Sequence, residues 1–493
     1  MQNFYASKMV YNNNMFGERE KINRRAWFIS GLFAFCLVVF IVLPAFGNEQ
    51  ANSISPSQGQ ILRAKAVIRS AIPKISLAEM RRIETLISQL GSPKWKVRER
   101  ATKELSHADI NAIPFISAAI SSNDLEIAIR AEQALKVIRG RINNEIKELS
   151  ISIETLATVK DKQLIGALIE LLESSVLDVR YIAEYNLRRF TGKNFGFNSY
   201  AEVSKRTEAV QRWRKWWRKN KQKFRFAKSA DPSKLALLVS FGSTPTLMVI
   251  SLDGEITHSW EVDRPIRSAM GLKNGNVIVG FQGGKPNVVE YDPAGRVVWD
   301  NSKVADTLGT NWVVDVAALP NGHILLDYVD DCHVSEITRQ GKVIWQKCLD
   351  QPDSAERLAN GNTLITQFRR GKAIEVNQQG DVVWQYTNLY KPTDACRLPN
   401  GDTVICEYGR RRILRVNRMG DILWQYPCRG VPGSVCLLPN ERIVVIGSVG
   451  GIFILDGDGR LVRQLHSRGS RYGRVRLVPI AVLNTRLKGR EPH

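Results

Sequence analysis

Asp315 and Asp394 are the residues whose type and spacing come closest to chemistry. Each stands four residues ahead of a Leu-Pro-Asn-Gly turn, and Ser268, Ser354 and Ser434 hold the same place ahead of related turns. Carboxylates recurring at one position of a repeat converge on an axis if the repeats close into a ring, where they can hold a ligand or exchange protons. A short polar side chain there can instead bond inner-strand backbone, which is the reading we prefer. These five residues are therefore candidate channel ligands, and no catalytic residue is assigned. The six histidines, His107, His258, His323, His333, His466 and His493, show no pair at metal-ligand spacing, so no metal site is expected. Nor does any Gly-rich phosphate loop, G-x-S-x-G elbow or H-E-x-x-H helix occur.

Three basic clusters are candidate anion sites. FRRGK at 368–372 contributes Arg369 and Arg370, and GRRRILR at 409–415 contributes Arg411 and Arg412, all placed on one rim by their equivalent positions. Guanidinium groups can grip carboxylate or phosphate bidentately. The third, residues 205–228, carries eleven Lys or Arg against one Glu, with Arg212, Arg214, Lys215, Arg218 and Lys219 interleaved among Trp213, Trp216 and Trp217. An amphipathic helix lying on lipid headgroups would look like this. So would a helix that caps an array with its tryptophans and leaves its cations solvated, and that plainer role is preferred.

The elements that position these groups change character at about Pro232. Beyond it, a turn glycine followed by a strand ending in tryptophan recurs as DGEITHSW, AGRVVW, QGKVIW, QGDVVW and MGDILW, with DGRLVR a degenerate sixth. Gly254, Gly295, Gly341, Gly380, Gly420 and Gly459 are 41, 46, 39, 40 and 39 residues apart. In phase with them run turns at Asn274, Asn321, Asn360, Asn400 and Asn440, read as tight hairpins in which both Asn and Gly take positive φ. Four short strands per repeat make a propeller blade. Residues 235–262 supply only three, and RVRLVPIAVL at 474–483 is left over, so the tail is expected to complete the first blade and close a six-bladed ring. The blades resemble quinoprotein-like repeats and, in their L-P-N-G hairpins, the arylsulfotransferases. That second resemblance implies a channel histidine beside the aspartate, but Arg267, Val314, Asp353, Thr393 and Gly433 occupy the position. The tryptophans, Trp260, Trp299, Trp345, Trp384 and Trp424, are expected to wedge between blades.

Before Pro232 the apolar period is helical. Val97, Ala101 and Leu105 are matched by Ile127, Ala131 and Leu135 and by Val179, Ala183 and Leu187, with an extra helix expected near 142–158. This two-helix unit resembles HEAT repeats, which implies a short solenoid that binds a macromolecule or braces a neighbouring domain.

Residues 26–47 form an apolar run behind Lys21, Arg24 and Arg25, an export signal either cleaved before Asn48 or kept as an anchor. The six cysteines from Cys332 onward then meet an oxidising compartment, with Cys428 and Cys436 the first choice for a bridge, although free buried thiols are the commoner state. The hairpin register puts Cys406 opposite Ala395. A formal charge of +22 over 493 residues favours anionic partners.

The expected fold is thus multidomain α plus β: signal or anchor at 1–47, linker at 48–74, a HEAT-like α-solenoid at 75–228, a six-bladed β-propeller closed by the C-terminal strand at 233–485, and a basic tail at 486–493. The expected role is an exported, non-catalytic scaffold or sensor, periplasmic or membrane-anchored. It would have a protein partner in the envelope, with anionic lipid or glycan as a second contact class and nucleic acid disfavoured. No cofactor is expected. The competing reading is a propeller-channel enzyme, either an oxidoreductase using pyrroloquinoline quinone or a divergent arylsulfotransferase-like transferase.

Overall fold

The computed structural model describes residues 55–479 apart from 73–75, 228–234, 243, 273, 303–312, 329–331, 439–440, 449–450 and 467–472. The expected export segment and basic tail lie outside the described residues. Those described belong to one compact unit, Ser55–His493.

Eight α-helices come first among the described residues: α1 Gln58–Ala71, α2 Leu77–Gln89, α3 Trp95–Ser106, α4 Ile113–Ala119, α5 Leu125–Thr158, α6 Gln163–Leu171, α7 Leu177–Thr191 and α8 Val203–Asn220. Much of the expected linker is α1. Ser57 and Gln60 cap it reciprocally, and its Ala64 and Ile68 are buried in the helical core. The extra helix expected near 142–158 is the second half of α5, which runs for 34 residues. Its buried stripe passes from Ala131 and Leu135 to Ile153 and Leu156, and Gly140, on the exposed side of the helix, costs only about 1 kcal/mol against alanine. Ala101, Leu105, Ala183 and Leu187 fill the equivalent places on α3 and α7. On α8, Trp213 and Trp217 turn into the same core, where Trp213 meets Phe195 at 4.7 Å and Trp217 meets Phe224 at 5.4 Å between ring centroids.

Six four-stranded antiparallel sheets follow. The inner strands of blades one to six are Arg474–Pro479, Ile266–Gly271, Val313–Ala318, Pro352–Arg357, Pro392–Arg397 and Pro432–Leu437. The tail strand pairs with Leu235–Ser240, Leu477 facing Leu237, so the chain's last described strand completes its first blade. No sheet edge is left open at the closure.

Tryptophan docks three of the blades on the next by a hydrogen bond as well as by volume, whereas the buried Trp345 indole N–H makes none. The indole N–H of Trp299 donates to the Arg339 carbonyl, that of Trp384 to Arg418 and that of Trp424 to Gly457, each at 2.9 Å and each in the following blade's outer turn. Arg397 lies 4.4 Å over the Trp384 ring and Arg357 5.2 Å over Trp345.

The Asn-Gly turns differ from the tight hairpins expected. Leu398 donates its N–H to the Asp402 carbonyl across a three-residue loop, and only the glycine, Gly401 at φ 93°, is left-handed. The asparagine stays right-handed and instead accepts a hydrogen bond from the backbone two residues on, Asn360 from Asn362 and Asn321 from His323. The extra loop residue shifts the register, so Cys406 faces Asp394 rather than Ala395. None of the six described cysteines is bridged, Cys428 and Cys436 included.

Candidate functional site

The inner strands bring four of the five channel candidates into two matching pairs. Ser268 donates to Asp315 Oδ1 at 2.5 Å and Ser434 donates to Asp394 Oδ2 at 2.5 Å. The backbone N–H of Val316 and that of Val435 approach the same carboxylates at 3.0 and 3.1 Å. Ser354 stands apart, sharing a 2.9 Å hydrogen bond with Thr366.

Two arginines of the closing strand complete the axis. Arg476 Nη2 donates to both oxygens of Asp315 at 3.0 and 2.8 Å, and its Nη1 lies 3.7 Å from Asp394. Arg474 donates to the Gly433 carbonyl at 2.9 Å and to the Asp353 carboxylate at 3.3 Å, reaching from blade one to blade four across the ring. Arg267 approaches the same carboxylate at 3.9 Å. Burial would lower Arg474, but Asp353, Asp394 and Asp315 more than offset it and hold the guanidinium above its ordinary range. A signal for these residues lay in their spacing: Arg474 and Arg476 are two apart on a strand already assigned to the inner ring, so both fall on one face of it.

Two further acids complete the site. Asp327 faces Asp315 across the strand pair, fully buried, with neither carboxylate oxygen hydrogen-bonded. Burial first, then the charges of Asp315 and Asp353, push its carboxyl well above the usual range, so it is held neutral. Glu356, on the inner strand of blade four, is exposed to solvent within its ring of protein, and that surrounding mass pushes it up to about 7. Among the described residues, no group of three or more His, Cys, Asp and Glu side chains is placed to hold a metal ion.

The basic candidates divide into committed and uncommitted groups. Arg370 pairs with Asp350 at 2.7 Å, and Arg412 donates to the buried Glu407 at 2.5 Å and to Gln425 at 2.6 Å. Arg369 and Arg411 are exposed on the turns that join second and third strands. On α8, Arg214 is spent on Glu170 and Glu173, both within 2.7 Å, and Arg212 donates to the Phe195 carbonyl. Lys215, Arg218 and Lys219 point to solvent.

A second buried cluster, absent from the sequence reading, fastens the helices to the propeller. Glu375 is fully buried and accepts hydrogen bonds from Tyr200 at 2.7 Å, Arg397 at 2.8 Å and Arg418 at 3.3 Å. Arg418 also lies 3.5 Å from Asp178 of α7 and stacks over Tyr181 and Tyr200. Burial pushes Asp178 up to about 6 against the pull of Arg418. The helices therefore sit on the face carrying the Asn-Gly and outer turns of blades four and five, and the Arg369 and Arg411 turns face away from them.

Fold and axis together define a helical array joined to a six-bladed propeller. Residues 248–400 match the profile of the family described as outer membrane protein assembly factor BamB, a stretch that runs from blade one's third strand to blade five's first turn. No curated protein is significantly similar. Among solved structures, a protein of unknown function from Bacteroides caccae shares 14% identity, with a TM-score of 0.40 over 49% of this chain and 99% of its own. A virginiamycin B lyase from Staphylococcus aureus shares 13% identity, with a TM-score of 0.35 over 48% of this chain and 86% of its own.

Proposed function

We propose that the protein is an exported interaction scaffold of the cell envelope rather than an enzyme. The observation that carries this reading is the filled axis: where a channel enzyme presents unpaired acids to its substrate, Asp315 and Asp394 here already face Arg476 and their own serines. Pyrroloquinoline quinone, which the resemblance would bring with it, needs axial acids free to hold its metal, and Asp315 and Asp394, committed to Arg476 and their serines, do not fit that role. The match to an envelope assembly factor and the apolar run at 26–47 support the compartment. A rigid junction at Glu375 suits a scaffold, because two surfaces held in fixed geometry can organise partners that bind both.

The test is affinity capture from envelope extracts with paired variants. Asp315→Asn with Asp394→Asn should leave capture of the partner intact, whereas Arg369→Glu with Arg411→Glu should weaken it. Loss of capture in the folded axial variant alone would refute the reading. The enzyme alternative has its best footing at Glu356, the solvent-open axial acid poised near neutrality. A turnover abolished by Glu356→Gln would establish it.

A further inference from the structure

We infer that the outer face of α8 and the turn after it form a docking surface for anionic phospholipid headgroups. The inference rests on the envelope reading. Lys205, Lys215, Arg218, Lys219, Lys221 and Lys223 are all exposed, and none forms an ion pair among the described residues. The acids on this stretch are Glu202 at its start and Glu208, which lies 3.8 Å from Arg212. On the flank of the same helix, by contrast, Arg214 is consumed internally by Glu170 and Glu173. Here it is left on the surface.

The make-up of the face points to its occupant. Trp213 and Trp217 are buried in the helical core and Trp216 packs, partly buried, against Phe195 and Phe224, so the exposed face of α8 is carried mainly by lysines and arginines, with Val203 at its start the exposed large apolar side chain. A broad cationic surface of this kind matches a plane of diffuse negative charge. Geometry brings that plane within reach. The apolar run ends at residue 47, eleven residues before α1 begins, a tether of at most about 40 Å. Helix α6 touches both α1 and α8, so the charged face lies in the same small array as α1.

Residues 55–493 form a compact unit with their own cores and can be studied without the apolar run. They should sediment with phosphatidylcholine vesicles containing about one-third phosphatidylglycerol, and not with phosphatidylcholine alone. Binding should vanish near roughly 0.5 M salt, where charges are screened within a few ångströms. Lys215→Glu, Arg218→Glu, Lys219→Glu and Lys221→Glu together should weaken it more than about a hundredfold, with unchanged tryptophan fluorescence reporting an intact core. Arg369→Glu with Arg411→Glu should not weaken it. Equal binding to neutral vesicles, full binding by the α8 variant, or preference for a soluble anionic polysaccharide would each overturn the inference. Fractionation of the full chain, read separately, tests the envelope reading. A chain found in the envelope with no vesicle binding refutes only the α8 surface, and a chain retained in the cytoplasm refutes only the compartment.

Discussion

Replacing Arg476 by methionine strands two buried carboxylates while keeping most of the side chain's volume. Asp315 is 2% exposed and takes both its oxygens' guanidinium contacts from Arg476, at 2.8 and 3.0 Å, while Asp394 loses the positive charge 3.7 Å away. Breaking a buried pair by deleting one partner costs about 3–5 kcal/mol, mostly the penalty of the charge left behind. Arg476→Met should therefore lower the urea midpoint of the propeller by an amount equivalent to at least about 3 kcal/mol. Asp315→Asn in the same chain should restore about half, because a neutral amide needs no counter-charge and can still accept from Ser268. Urea titrations of the four members of this double-mutant cycle, followed by tryptophan fluorescence, supply the measurement. A loss below about 1 kcal/mol, or an Asp315→Asn change that adds to the loss instead of offsetting it, would mean that the axis is not held by this pair.

Other outcomes follow from the same geometry. Asp327 is protonated in the folded chain above the pH at which it ionises unfolded, so its contribution is full below about pH 4 and stability falls as pH rises from there; Asp327→Asn should remove that decline, gaining at least about 1 kcal/mol at pH 8 and nothing at pH 4, as thermal melts at the two pH values would reveal. Gly371 and Arg411 occupy one left-handed position in successive blades, at φ 60° and 50°. Gly371→Ala should fold poorly, since its Cβ would lie 2.2 Å from the Leu389 carbonyl oxygen, whereas Arg411→Gly should be neutral or stabilising by up to about 1 kcal/mol; chemical denaturation distinguishes these from equal effects. Arg418→Met removes the cation shared by Asp178 and Glu375, and calorimetry should then show helices and propeller melting in two steps where the parent melts in one.

The sequence disclosed whatever repeats and little of what occurs once. Blade number, ring closure and the docking tryptophans were legible because each copy restates the same constraint: a turn glycine, a strand, an indole with a neighbour to fill. The helical stripe at Ala101, Ala131 and Ala183 was legible for the same reason, although nothing local marked that α5 would run on past Ile138, because continuity is decided by what the helix packs against. The turn asparagines show the limit of a motif. Asn-Gly is compatible with both a two-residue hairpin and a three-residue loop, and the asparagine's hydrogen bond to the backbone two residues on selects the second. Four of the five axial candidates meet in two serine–aspartate pairs, but the sequence shows them only one blade at a time. Asp315 and Asp394 acquire their meaning from Arg476, which is 161 residues beyond Asp315 in the chain and meets it only once the last strand completes the first blade. Glu375 was invisible for a related reason. Its counterparts Glu290 and Glu336 bond an asparagine in or beside the turn, Asn276 and Asn321, and an arginine of the next blade within the propeller alone, whereas in blade four that arrangement also receives Tyr200 from the helices. A repeat thus supplies the acid, and the single place where a second domain lands turns it into a junction.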